Sequence, residues 1–134
     1  MEFAITGEIS DSNITQIRSG MSELLNIDDI KLSQREIYLE NDTFSLFIYM
    51  NDLVGAYPSN NYDFLISGRY QGLLEEVTSF VTNIACALYR ISIEYDFEFY
   101  QDVPEIENYS TYMIRHPNWQ SSAVGIFIDI SKRL

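Results

Sequence analysis

The sequence predicts an α+β protein: a single domain with a mostly antiparallel sheet of about five or six strands and two main helices packed on one face. Three observations carry this. Short segments of strict apolar–polar alternation recur along the 134 residues. Two longer stretches instead repeat apolar residues at helical spacing. The resulting order is strand, helix, strands, helix, strands, in which two helices on one face shield a core of Ile, Leu and Phe.

Glu2–Ile9 alternates cleanly, with Phe3, Ile5 and Ile9 on one side and Glu2, Thr6 and Glu8 on the other, the pattern of a half-buried strand. Ser10, Asp11, Ser12 and Asn13 supply candidate N-caps, and Gln16 stands three residues after Asn13 as a capping-box partner. Ile14, Ile17, Met21, Leu24 and Leu25 follow at helical spacing, and this helix ends near Asn26. Gly20 weakens it by about 1 kcal/mol relative to Ala without breaking the pattern.

Ile30–Glu40 is extended, with Ile37 and Leu39 facing in. Asn41, Asp42 and Thr43 are turn chemistry leading into Phe44–Met50, so a hairpin is expected. There Phe44, Leu46, Ile48 and Met50 share one face, while Phe47 and Tyr49 make the other face apolar too. Residues 51–61 are loop, and Tyr62–Ser67 is a short strand. Ser67-Gly68 opens the second helix, which runs through Arg90. Its stripe of Leu73, Leu74, Val77, Phe80, Val81, Ile84, Ala85 and Leu88 is wide enough for the central packing element.

Ser92–Gln101 follows almost without a loop. Ile93, Tyr95, Phe97 and Phe99 face the core, and Glu94, Asp96 and Glu98 form a carboxylate ladder on the other side. Asp102–Asn118, with Pro104 and Pro117, has no sustained period and reads as a long connection. Ser121–Ile130 returns to strand, with Val124, Ile126, Ile128 and Ile130 on one face.

Charge narrows the function. Twenty acids against eight Lys and Arg give a net charge of −12, which excludes nucleic acid and anionic membranes as partners and favours a basic protein. One cysteine, Cys86, allows no internal disulfide. The first residues lack the layout of a signal peptide, and no apolar run approaches the ~20 residues of a membrane helix. A cytoplasmic protein is expected.

The candidate site is the acidic, tyrosine-bearing segment that starts on the ladder and runs into the following loop: Glu94, Asp96, Glu98, Tyr100, Asp102, Glu105, Glu107, Tyr109 and Tyr112. No Lys or Arg occurs between Arg90 and Arg115. Carboxylates steer and pair with a cationic surface, while tyrosine rings supply rigid contact area. The same acids also fit a plain solvated face, oxygen ligands for a divalent cation, or an inverting carboxylate pair.

Catalytic signatures are otherwise missing. His116 is the only histidine, and nothing in the sequence brings a nucleophile such as Cys86 to it. The segment Ser67–Gly72 lacks both the P-loop and the dinucleotide-binding pattern. One Cys and one His cannot build a standard structural zinc site. No cofactor or metal is expected, and no enzymatic activity.

The acid-rich run Glu94–Glu98, in a short acidic α+β chain, resembles the immunity proteins of bacterial toxin systems, including contact-dependent inhibition. The resemblance is one of size, charge and layout over the whole chain. It implies a catalytically empty protein that blocks the active cleft of a cognate toxin domain, a basic nuclease above all. It carries no residue over by position. Two other readings stand beside it: a small-ligand module or enzyme using the acids with His116, and a scaffold subunit or homodimer that uses a sheet edge.

Overall fold

Strand β1 (Glu2–Ile9) is the axis of the molecule, because both of its edges are paired along nearly its whole length. The computed structural model describes residues 1–10, 14–25, 31–32, 36–51, 64–102, 110–117 and 125–130, with backbone alone for 14, 22–25 and 31–32. In chain order the elements are β1, α1 (Ile14–Leu25), β2 (Lys31–Leu32), β3 (Glu36–Glu40), β4 (Phe44–Met50), β5 (Phe64–Gln71), α2 (Leu74–Arg90), β6 (Tyr95–Gln101), β7 (Thr111–Arg115) and β8 (Ile126–Phe127). The strands form one sheet in the order β2-β3-β4-β5-β1-β6-β7-β8, antiparallel throughout except for the β7–β8 pair.

The expected α+β class, antiparallel sheet and two helices are all present, with more strands than expected. Ile30–Glu40 contributes both β2 and β3. Strand β7 lies inside the segment expected to be a long connection. Its alternation is hard to see because Met113 and Ile114, on opposite faces, are both buried. Of the strand expected over 121–130, the described part pairs only at Ile126–Phe127.

Ser67 and Gly68 belong to the middle of β5, not to the start of a helix. Glycine is required there by close approach: a Cβ would lie 2.5 Å from the Ser45 carbonyl oxygen and 2.8 Å from Leu46 Cδ1. The second helix begins at Leu74 instead. Glu76 reaches back to accept the Leu73 backbone N–H at 2.8 Å, and Glu75 and Glu76 complement the positive end of the helix.

Alternation sets what each face does. Phe3, Ile5 and Ile9 of β1, Leu46 and Ile48 of β4, and Phe97 and Phe99 of β6 are buried on the helix side. Against them lie Ile17 and Met21 of α1 and Val77, Val81, Ile84 and Leu88 of α2. Phe80 locks the far end through ring contacts with Phe44 at 4.6 Å and Tyr70 at 5.0 Å. Cys86 is buried within this core, as its apolar character favours.

Helix α2 stops where the expected strand was to begin. Ser92 takes a left-handed φ of 62°. The Ile93 N–H donates to the Leu88 carbonyl and the Ser92 N–H to the Tyr89 carbonyl. Those two bonds are a Schellman motif, sealed by the buried pair Leu88 and Ile93. Only from Tyr95 onward is the chain a ladder strand. The hairpin between β3 and β4 forms as expected, and Asn41 Oδ1 accepts the N–H groups of Thr43 and Phe44 at 2.8 and 2.9 Å.

Candidate binding face

The other face of the sheet is covered by no helix among the described residues, and its side chains line up in cross-strand rows. From β3 to β8 the middle row reads Tyr38, Phe47, Ser67, Thr6, Glu98, Met113 and Phe127, and at its β3 end Tyr38 pairs with Lys31 of the edge strand β2. One neighbouring row holds Tyr49, Leu65, Glu8, Asp96 and Arg115; the other holds Ser45, Arg69, Ala4, Tyr100 and Thr111. In the middle row the small side chains Ser67 and Thr6 on the central strands β5 and β1 therefore sit between Phe47 on β4 and Glu98 on β6, with Leu65 and Arg69 to either side of Ser67 on β5.

This contrast in size makes a trough. Two cavities, of about 350 and 390 Å³, share Thr6 and Ser67 and run end to end along β5 and β1. One wall is aromatic, built of Tyr38, Phe47 and Tyr49. Phe47 packs edge-on to Tyr38 and tilted to Tyr49, with both centroids 5.7 Å away. The Tyr38 hydroxyl donates a short hydrogen bond to Glu40, which fixes the ring and raises the pKa of the phenol. The opposite wall is Asp96, Glu98 and Tyr100.

The acids on this wall are not equivalent. Arg115 Nε donates to Asp96 Oδ1 at 3.0 Å, with both side chains largely buried. The guanidinium also lies 5.8 Å from the centre of the Phe127 ring, and its Nη1 is buried without a partner among the described residues. Asp102 is held by Arg69 at 3.0 Å, and Arg69 reaches Glu2 at 3.1 Å as well. The hydrogen bond with Glu2, then its charge and that of Asp102, push the Arg69 pKa above the usual guanidinium value. Glu98 stands between these two pairs with no cation beside it among the described residues.

The residues expected to form one surface are thus sorted by the fold. Asp96, Glu98, Tyr100 and Asp102 line the trough. Glu94 is half-buried ahead of β6, where its carbonyl accepts the Ser10 N–H. Tyr112 is on the helix side, stacked on Phe99 at 5.2 Å, and so is turned away from Glu98. Glu105, Glu107 and Tyr109 lie outside the described residues.

His116 also belongs to the helix side. It is buried, 5.3 Å from the Tyr89 ring and 5.6 Å from the Tyr95 ring, and the sheet separates it from Glu98. The Tyr95 hydroxyl is buried with no hydrogen-bond partner among the described residues. Burial pushes the Tyr95 pKa well above the usual phenol range, and the neighbouring Cys86 and Tyr89 add to the effect. Among the described residues no group of three His, Cys, Asp or Glu side chains could hold a metal ion. Likewise, no described helix is long and apolar enough to cross a membrane.

Sequence patterns marked only part of this. The small residues Ala4, Thr6 and Ser67 gave no signal, because a trough floor depends on which strands are neighbours. Phe47 and Tyr49 did carry one, as apolar residues on the second face of a strand. No family model matches the chain, and no curated protein matches its sequence.

Proposed function

We propose that this is a small binding protein that neutralises a basic protein partner, in the manner of an immunity protein blocking the active cleft of a cognate bacterial toxin domain. One observation carries the reading. The open sheet face presents a concave, half-aromatic surface with Glu8, Asp96 and Glu98 along it, while Arg69 and Arg115 on it are already engaged by carboxylates of the same face. With those two guanidiniums engaged and Glu98 without a cation beside it among the described residues, the trough is complementary to a cation-rich cleft. The net charge of −12 adds long-range steering to the same kind of partner.

His116 takes no part in this reading, since it is buried on the far side of the sheet. The acids act by charge and contact, not as acid–base catalysts. In the source genome, the reading frame directly upstream is expected to encode a large polypeptide ending in a basic toxic domain. Expression of that domain alone should arrest growth, and co-expression of this protein should restore it. A neighbour whose expression leaves growth unchanged, or an arrest that this protein does not relieve, contradicts the proposal.

A further inference from the structure

Resting on that reading, we infer that the trough on the open sheet face receives an amphipathic basic helix of the partner, not an extended strand and not a loop tip. The geometry supplies the first reason. Between Ala4 and Glu8 the floor extends for about 14 Å along β1, the length of roughly nine helical residues. From the β4 backbone to the β6 backbone is about three strand spacings, again about 14 Å. The wall side chains narrow that gap, so a helix backbone, with its Cα atoms at a radius of ~2.3 Å, enters between them while its own side chains lie over the two walls.

Backbone chemistry supplies the second. Strands β4, β5, β1 and β6 are each paired on both sides, so their N–H and C=O groups are committed to the sheet. The trough offers side chains only. An extended segment laid on it would bury peptide groups with few partners, and an unpaired peptide group withdrawn from water is unfavourable. A helix arrives with its peptide groups already satisfied.

The two walls then dictate the sides of that helix. Tyr38, Phe47 and Tyr49 select apolar or aromatic side chains on one flank. Asp96 and Glu98 select Lys or Arg on the other, and Glu98 takes the closest cation because Asp96 is already held by Arg115. Ser67 and Thr6 leave room between the walls for the helix backbone to approach. Arginine is favoured over lysine opposite Glu98, because its planar group can pair with the carboxylate while lying against the Tyr100 ring.

The test titrates the full chain, labelled with nitrogen-15, with three peptides of about 18 residues, each long enough for measurable helicity. The first has Arg on one flank of the helix and Leu on the adjacent flank. The second has the same composition scrambled, so that it keeps its charge and loses its amphipathic pattern. The third has Glu in place of Arg. Binding of the first alone, with amide shifts centred on Thr6, Ser67, Phe47 and Glu98, is the expected result. Ser67→Arg, an exposed position, should block the trough and weaken that binding by about tenfold or more; Glu98→Gln should weaken it less. Equal binding of the first two peptides, or shifts mapping elsewhere, overturns the helix inference and leaves the basic-partner reading standing. Preference for the third peptide, or failure of every cationic peptide to bind, overturns both.

Discussion

Arg115 and Asp96 face each other across β6 and β7, with Nε donating to Oδ1 at 3.0 Å and both side chains mostly withdrawn from water. This turns one rung of an apparent acidic ladder into a structural clamp. Asp96 lies directly opposite Glu8 on β1 as well, so the guanidinium offsets a like-charge contact that would otherwise destabilise the sheet. Removing Asp96 leaves a largely buried cation. Asp96→Asn should therefore cost on the order of 1–3 kcal/mol, between the surface and fully buried limits for ion pairs. Arg115→Met should cost a similar amount, and urea unfolding of the double variant should show less than the sum of the two.

Glu98 is expected to behave in the opposite way. With no cation beside it, Glu98→Gln should leave urea stability unchanged or slightly higher, while reducing affinity for a basic partner. A stability loss as large as that of Asp96→Asn would assign Glu98 a structural role instead.

Ser92 occupies a left-handed conformation that glycine adopts without a Cβ penalty. Since the Schellman hydrogen bonds are made by backbone, Ser92→Gly keeps them intact. The variant should gain about 0.5–1 kcal/mol, read as a rise in the urea midpoint at unchanged slope. The converse holds at Gly68, where an added methyl meets the Ser45 backbone and Leu46. Gly68→Ala should lose about 1–3 kcal/mol through overpacking.

Alkaline pH should destabilise the protein through its buried phenols. Burial, and then Cys86 and Tyr89, raise the Tyr95 pKa; burial, and then Glu76, raise that of Tyr70. A raised pKa means that the folded state keeps a proton which the unfolded chain releases near pH 10. The stability tied to that proton is complete below about pH 10 and is lost as pH rises toward the folded-state values. Urea midpoints should be level from pH 8 to 9.5 and fall above it. Tyr95→Phe should flatten that fall at little cost, because the hydroxyl it removes has no hydrogen-bond partner among the described residues.

The fold was legible wherever one face of an element is buried and the other wet. Glu2–Ile9 is such an element and forms as its pattern dictates; the helix ending at Arg90 does so from Leu74 onward, but not from Ser67; and Phe44–Met50 forms although Phe47 and Tyr49 make its second face apolar. Thr111–Arg115 escaped because both of its faces are covered, which erases alternation. Gly68 misled because glycine marks a turn and a tight backbone approach equally well. The site was half legible. The acids on and just after β6 stand out by composition, but the cationic partners of Asp96 and Asp102 are 19 and 33 residues away in sequence, at Arg115 and Arg69. Sequence distance hides such pairs, and it also hides the insertion of β1 between β5 and β6, which creates the trough floor.

The central claim is that the open sheet face, and not acidity in general, takes the basic partner. Stopped-flow association of the proposed basic partner with Glu98→Lys and Glu75→Lys variants tests it most directly. Both substitutions change net charge equally, but Glu98 lines the trough while Glu75 is exposed on the first turn of α2. Glu98→Lys is predicted to slow association by about tenfold at low salt and to speed dissociation, with Glu75→Lys close to the parent protein. Equal slowing by the two variants, with dissociation unchanged in both, would contradict the assignment of the face.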